Sequence, residues 1–395
     1  MGMVNYREAQ NIIKSQAILL HKELIDLDDS LGRVLAEDIV AGRDYPPFNR
    51  SAMDGIAIQT EDFGKGTRDF RIIETVFAGQ KSEKNLSAGQ CYKIMTGAAV
   101  PAGADAVIRR EDIIEDKAAV RVETDSCERY QNIAPQGEDL KKDTIALHAP
   151  FKINASATGF IASMGRGEIW VYKKPDVVIF TTSDEVISVG EQVNDQQIYN
   201  SNLPMLKALM LEHQIKPIHA GHILDDEEQL EDFIKPYLGV DILILSGGVS
   251  AGDADFIPDI LDKLGVEILF HKVAIKPGKP CLCGKLPGGG LVFALPGNPL
   301  SCLVTFKLFV ERYLEGFSNL PAPDTITFPL NFNRRKKSAF DEFFPVFITE
   351  QNMLNKIDFN GSGDIRLASF ANALGIQPAD QMDIWNGEGI LCIRL

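Results

Sequence analysis

The residues of this 395-residue chain best placed to do chemistry stand in turns that leave apolar runs. One is Leu245-Ser246-Gly247-Gly248-Val249-Ser250-Ala251-Gly252-Asp253-Ala254-Asp255, which runs from a strand-like stretch into a helical pattern. Glycines let backbone N–H groups approach a ligand closely, and a helix start adds partial positive charge. Ser246, Gly247, Gly248 and Ser250 could therefore cradle a phosphate. A tight Gly-rich turn with Asp255 as a helix cap would use the same residues, and the spacing is neither a Walker A loop nor a dinucleotide fingerprint. A second turn, Ala294-Leu295-Pro296-Gly297-Asn298-Pro299-Leu300-Ser301, follows the same logic, with Asn298 as helix cap and Pro299 at the first helical position. Two such helix starts at one sheet edge say more than either alone.

Between them lies His271-Lys272-Val273-Ala274-Ile275-Lys276-Pro277-Gly278-Lys279-Pro280. If Val273 and Ile275 face a core from one strand, Lys272 and Lys276 point to the other face, with Lys279 on the turn beyond. A solvated edge strand guarded by lysines would read the same way. Carboxylates crowd the same edge: Asp184 and Glu185, Asp225 and Asp226, Asp253 and Asp255. Beside a phosphate they repel the ligand unless a divalent cation lies between, and oxygen ligation with phosphate suits Mg²⁺. Helix capping would account for Asp225 and Asp255 separately, but not for Glu185. Nearer the N-terminus, Pro46 to Gly55 and Ile94 to Pro101 are strand-flanking turns that carry Asp54 and Thr96. Cys281-Leu-Cys283 lacks metal-knuckle spacing and fits strand packing.

These turns need a scaffold, and its pattern changes along the chain. Tyr6 to Leu20 has helical apolar spacing. From about Ile25 to Val122 the apolar runs are short and often β-branched, as in Phe70 to Phe77 and Ala106 to Ile108, which predicts a small β-rich domain. Helix-compatible stretches return around Ala155 to Met164, so residues 1–24 and 140–173 can form one linking domain with 25–139 inserted. After Pro175 strands and helices alternate. Strands are expected at Asp176 to Phe180, Lys216 to His219, Asp241 to Leu245 and Leu291 to Leu295, and helices at Leu203 to His213, Glu227 to Tyr237, Phe256 to Leu264 and Leu300 to Leu314. That alternation predicts a parallel α/β sandwich over 174–322, a class that binds ligands beyond the carboxyl ends of its strands. Short strand-like runs after Pro321-Ala-Pro323 predict a β-barrel or sandwich over 323–395.

The formal charge is −15, from 55 acidic against 40 basic side chains. A field of that sign repels nucleic acid and anionic membrane, so an anionic ligand needs a local cationic pocket. No stretch reaches the roughly 18 apolar residues of a membrane span. The six cysteines are scattered, as reduced core thiols would be, and a cytoplasmic location is expected.

Taken together, Pro46 to Gly55, Met95-Thr96-Gly97, Gly137-Glu138-Asp139, Thr182 to Glu185, Ile198-Tyr199-Asn200-Ser201-Asn202, Ser246 to Asp255, Lys276-Pro-Gly-Lys279-Pro280 and Pro296 to Pro299 resemble the molybdopterin molybdenumtransferase family over nearly the whole chain. The resemblance implies four domains, the last a β-barrel, and a homodimer whose cleft joins the α/β domain of one subunit to the β-rich domain of the other. It implies insertion of molybdenum from molybdate into adenylylated molybdopterin, with Mg²⁺ and release of AMP, and a molybdopterin-adenylylating protein as pterin donor. By position, Ser246 to Ser250 and Pro296, Gly297, Asn298 and Pro299 would hold the phosphate end. Glu185, Asp225 and Asp255 would support the cation; Lys272, Lys276, Lys279 and Ser362 would hold the oxyanion; Asp54 and Thr96 would act across the subunit boundary. The chain departs from the family where an arginine is expected after Phe343-Phe344 and Pro345 stands instead, and again before Gly137. Arg366 is the expected compensation. A non-catalytic molybdopterin-binding scaffold is the alternative reading.

Overall fold

The computed structural model describes residues 2–248, 256–317, 320, 326–358 and 360–395. The chain divides into two compact units, one made of Met1–Ile25, Ser30–Ala36 and Trp170–Leu395, the other of Asp26–Asp29 and Glu37–Ile169.

The larger unit is organised around a six-stranded sheet in the order His219–Ile223, Val177–Thr182, Ile242–Ser246, Leu291–Leu295, Leu282–Lys285, Glu267–His271. The first four strands are parallel, and the last two join through antiparallel pairings, so that only Leu282–Lys285 runs against the rest. Val177–Thr182, Ile242–Ser246 and Leu291–Leu295 are buried at every position. Near-continuous apolar runs of this kind belong to central parallel strands covered on both faces. Helices Asn202–Glu212, Glu227–Ile234 and Ile257–Lys263 connect or follow the strands as the alternation predicts. The register sets Thr181 opposite Ser246 and Ser246 opposite Leu295, so the turns that leave these strands emerge together.

Three elements differ from expectation. The strand expected at Lys216 to His219 is His219–Ile223; Pro217 has no N–H to give a ladder, and pairing starts beyond it. The first helix ends at Gln16 rather than Leu20, with Ala17 already extended. The long helix after Asn298 runs as Pro299–Thr305, a π-helical turn Phe306–Val310, and Glu311–Gly316. The first helix buries Tyr6, Ala9 and Ile13 in the core that also holds Phe309 and Phe343, with Tyr6 edge-on to Phe343 at 5.3 Å.

A second sheet of this unit runs Ile275–Lys276, Asp341–Ile348, Ala373–Gln377, Gly389–Arg394, Ile326–Pro329, with Leu354–Lys356 paired to Asp341–Ile348. Its first pairing, Ile275 with Asp341 and Lys276 with Glu342, stitches the lysine-bearing segment to the C-terminal strands.

The smaller unit is β-rich, as its short runs predict. A six-stranded sheet orders Ala106–Arg109, Gly55–Ile58, Gln90–Ile94, Asp69–Val76, Ala119–Val122, Ile113–Asp116 over a core that includes Ile56, Phe70 and Ile108. The helix Ala155–Ser163 lies in this unit, capped by Asn154, whose side chain accepts from Ala157 N–H. Among the described residues no helix is long and apolar enough to cross a membrane.

Candidate functional site

A cleft with a volume of about 360 Å³ opens at the carboxyl ends of the parallel strands, lined by Thr182, Glu185, Asn202, Ser246, Gly247 and Gly297 among others. Its floor is a close approach of two backbones. Gly247 N–H donates to Leu295 O at 3.2 Å. A Cβ on Gly247 would stand 2.1 Å from Thr182 O, and its φ of +109° lies in the region that favours glycine. No other residue type fits there. Asn202, at the start of its helix, ties the two turns together: its Nδ2 donates to Ser246 Oγ at 3.0 Å and to Gly297 O at 2.7 Å. Asn202 is 8% exposed, and its Oδ1 is buried with no partner. A buried acceptor without a partner is costly unless a ligand donor meets it.

Carboxylates gather at one side of this cleft. Asp225 accepts from Thr182 Oγ1 and Glu185 from Ser183 Oγ, while Asp225 N–H donates to Asp184 at 3.0 Å. Burial pushes the Asp225 carboxyl above its ordinary range, and Asp184 and Glu185 push it further, against the lowering effect of the Thr182 bond. The cap of the following helix is Asp226, which accepts from Gln229 N–H at 2.8 Å. Helix capping therefore does not explain Asp225, and a role with ligand or cation stays open for it. Among the described residues no group of three or more His, Cys, Asp or Glu side chains could hold a metal ion. The chemistry of Glu185 and Asp225 fits an oxygen-liganded cation, but as a pair rather than a complete set. Ser250, Asp253 and Asp255 lie outside the described residues.

A second cavity, of about 410 Å³, adjoins the first and shares Pro280, Pro296 and Asn298 with it. Lys276, Lys279, Ser362, Arg334 and Glu342 line it. Asn298 does not cap its helix with its side chain; instead its Nδ2 donates to Ser362 Oγ at 3.0 Å. That bond makes a polar partition between the cavities. Lys276 and Lys279 are exposed, as expected. Lys272 is not among the lining residues of either cavity. The single strand drawn through it breaks: Glu267–His271 ends, Lys272 takes φ 72°, and pairing resumes at Ile275–Lys276. Val273 and Ile275 are nevertheless buried in the core between exposed Lys272 and Lys276, as the alternation predicts. Arg366 is exposed on the short helix Ile365–Ala368 and is likewise not a lining residue. Cys281 and Cys283 are buried in the core, and burial pushes both thiols up.

In the β-rich unit Thr96 N–H and Oγ1–H donate to one carboxylate oxygen of Asp54, at 2.7 and 2.8 Å. These bonds hold the Asp54 carboxyl below its usual range. The pair is exposed. Gly55 beside it admits no side chain, since a Cβ would stand 1.8 Å from Ile108 O.

Against known proteins, residues 4–165 match the family model "MoeA N-terminal region (domain I and II)", and residues 179–316 match "Probable molybdopterin binding domain". The molybdopterin molybdenumtransferase of Staphylococcus epidermidis is 34% identical over 387 residues, 95% of this chain and 91% of that protein. The chain belongs to the molybdopterin molybdenumtransferase family. That places it among the transferases of molybdenum cofactor biosynthesis. The enzyme of that name from Bacillus subtilis is 33% identical, covering 90% of this chain and 86% of its own. A molybdopterin biosynthesis moeA protein from Pyrococcus horikoshii OT3 has the same multidomain fold, with TM-score 0.84, 29% identity and full coverage of both chains.

The residues not singled out as site residues from sequence are Asn200, Asn202, Thr182, Arg334 and Glu342. Asn202 had a signal, an Asn at a helix start two residues after Asn200. Arg334 had none, because it sits in the run Asn333-Arg-Arg-Lys-Lys337, which reads as solvated charge.

Proposed function

We propose that this chain inserts molybdenum from molybdate into adenylylated molybdopterin and releases AMP. The observation that carries the reading is the pair of adjoining cavities: a glycine-floored cleft, lined by neutral polar groups and by Glu185, that suits a phosphate ester with its cation, and a cationic chamber beyond the Asn298–Ser362 partition that suits a tetrahedral oxyanion. A substrate with a phosphate at one end and a metal-accepting dithiolene at the other spans such a pair. The backbone N–H of Gly248 would hold the phosphate end, while the unpartnered Asn202 Oδ1 would accept from an N–H or O–H donor elsewhere on the ligand. Lys276, Lys279 and Ser362 would hold the oxyanion and stabilise charge that builds as the phosphoanhydride opens. Mg²⁺ belongs beside Glu185 and Asp225, with Asp255 as a further carboxylate, where it would screen charge between the acids and the pyrophosphate. Asp225, already strained by its acidic neighbours, gains most from such a cation.

The same reading gives the chain four domains ending in a β-barrel, a homodimeric assembly, a cytoplasmic setting and a molybdopterin-adenylylating protein as pterin donor. Asp54 and Thr96 would complete the cleft of a partner subunit; their exposure and the doubly held carboxylate suit a group presented outward. With adenylylated molybdopterin and Mg²⁺, AMP release should require molybdate. Release at the same rate without molybdate would sink the proposal. Pro345, standing where the family offers arginine, favours one rival, a scaffold that binds molybdopterin without inserting metal. Tight pterin binding with no AMP release would support that rival.

A further inference from the structure

Arg334 reaches the second cavity from the short strand Arg334–Arg335, which pairs with Asp383–Ile384. Its guanidinium carbon stands 3.9 Å over the Phe344 ring. One Nη donates to the Glu342 carboxylate at 2.7 Å, and the other to Gln377 Oε1. Gln377 is itself fixed, because its Nε2 donates to Gln381 O and Met382 O at 3.0 and 3.1 Å. The Arg334 side chain is 17% exposed and its Glu342 partner 8%. A planar cation held on one face and at two corners cannot swing away, and these bonds engage only two of the five N–H groups of a guanidinium. Among the described residues no further hydrogen bond engages the rest of the fork, which can meet a ligand in the cavity it lines.

The charge balance of the wall agrees. Lys276, Lys279 and Arg334 face one carboxylate, Glu342. Glu342 stays ionised: burial raises its carboxyl, but bonds from Arg334 and Ser338 hold it below its ordinary range. The excess is positive within a molecule of net charge −15. Lys276 is 59% exposed and 3.9 Å from Glu342, so it is a mobile point charge. Of the cations on this wall Arg334 alone is anchored, and an anchored planar fork is the group that reads a tetrahedral oxyanion by two parallel bonds.

We infer that Arg334 is the oxyanion donor of the second cavity, binding a tetrahedral dianion beside Lys276 and Ser362 and replacing the arginine absent at Pro345. Naming that dianion molybdate rests on the proposed transferase reading; the existence of the site does not. Glu342 and Gln377 are positioning residues that hold the fork.

Calorimetric titration of the full-length protein with molybdate alone tests this, with tungstate and sulfate as further tetrahedral dianions. R334Q should weaken molybdate binding about tenfold or more, the usual scale for losing a charge-assisted pair of bonds. R334K keeps the charge and loses the fork, and should still weaken it about fivefold. R366A should bind as the wild type. R334K guards against a folding artefact, since an ammonium can still neutralise Glu342, and its unfolding midpoint should stay close to the wild type. Wild-type affinity in R334K and R334Q, or a wild-type protein that binds none of the three dianions, overturns the inference. Molybdate bound through Arg334 without any AMP release leaves the inference standing and removes the transferase reading. Molybdate-dependent AMP release whose half-saturating molybdate is unchanged in both variants does the reverse.

Discussion

The two cavities share a wall and are built on different physics. Apart from Glu185, the described lining of the strand-end cleft is backbone and neutral side chains, fixed by ladders between adjacent parallel strands, with Ser246 in register with Thr181 and Leu295. The second cavity is made of full charges brought from far apart in sequence: Lys276 is set against Glu342 by a strand pairing, and Arg334 is laid over Phe344. The floor of the first is broken by steric change or by unmaking a hydrogen bond. The second responds to charge, ionic strength and pairing. Under the proposed function, binding a phosphate with amides keeps the cations available for the tetrahedral oxyanion.

The sharpest break in this comparison is predicted at Gly247. An alanine there meets Thr182 O at 2.1 Å in a left-handed conformation, and should cost about 2–4 kcal/mol of unfolding free energy. Gly297 lines the same cleft, yet its added Cβ would lie 3.7 Å from Gly247 Cα, an ordinary contact. Gly297→Ala should change stability by about 0.5 kcal/mol or less. Urea unfolding of both variants measures the contrast, and equal costs would refute the backbone account of the cleft.

Asp225→Asn is expected to slow AMP release by about 100-fold, the scale of removing an electrostatic group from a charged transition state. Its stability signature has a definite sign. Burial and its acidic neighbours raise the folded carboxyl above its ordinary 3.8, so the folded state binds the proton more tightly than the unfolded one. The resulting destabilisation is absent below the ordinary value, grows as pH rises towards the folded value, and is complete above it. Asn carries no such titration. The variant should therefore gain stability relative to wild type at neutral pH and lose that gain in acid. Thermal melts across that range without Mg²⁺ check the sign.

How much of this could be read from sequence follows the same division. The glycine turns of the strand-end cleft were legible because each is local, while Asn202, which bridges them from elsewhere in the chain, was not singled out. A buried β-branched run, a glycine turn and a helix start occur consecutively, and parallel topology then forces the turns together. Asp54 and Gly55 were legible as a turn, but the reason for Gly55, contact with Ile108 O, depends on a neighbouring strand. The second cavity was half legible. Its lysines lie near the turns, and buried Val273 and Ile275 alternate with exposed Lys272 and Lys276 as expected, but the φ of 72° at Lys272 that interrupts the strand shows in no periodicity. Arg366 is the compensation expected from sequence, whereas the place of Arg334 depends on a pairing with Asp383–Ile384. Long-range antiparallel register is the piece that a single sequence carries least clearly.

Asn202 links the two halves, and its loss should have an intermediate effect. Asn202→Ala removes the donors to Ser246 Oγ and Gly297 O, leaving a partly buried carbonyl unpaired, for about 1–3 kcal/mol of stability. Asn202→Asp restores size but faces Gly297 O with a carboxylate, so it should be no better. If the unpaired Oδ1 meets a ligand donor, Asn202→Ala also weakens pterin binding at temperatures where it remains folded, whereas Asn202→Asp keeps that acceptor. Full pterin affinity in a folded Asn202→Ala protein would assign the residue to architecture only.

The smallest effects are expected at the solvated lysines. Lys276 is 59% exposed, and Lys279 is exposed with its Nζ 5.7 Å from the Phe340 ring centroid. Charges so placed act through water and are screened over about 10 Å at 0.1 M salt. Lys276→Met and Lys279→Met should each weaken molybdate binding only about two- to fivefold at low ionic strength, and raising salt to about 0.5 M should erase most of the difference. The Arg334 effect should survive the same salt, because its fork is anchored and largely excluded from solvent. A salt titration of all three variants therefore separates field from contact: parallel loss in the three would mean that the second cavity attracts oxyanions without gripping them.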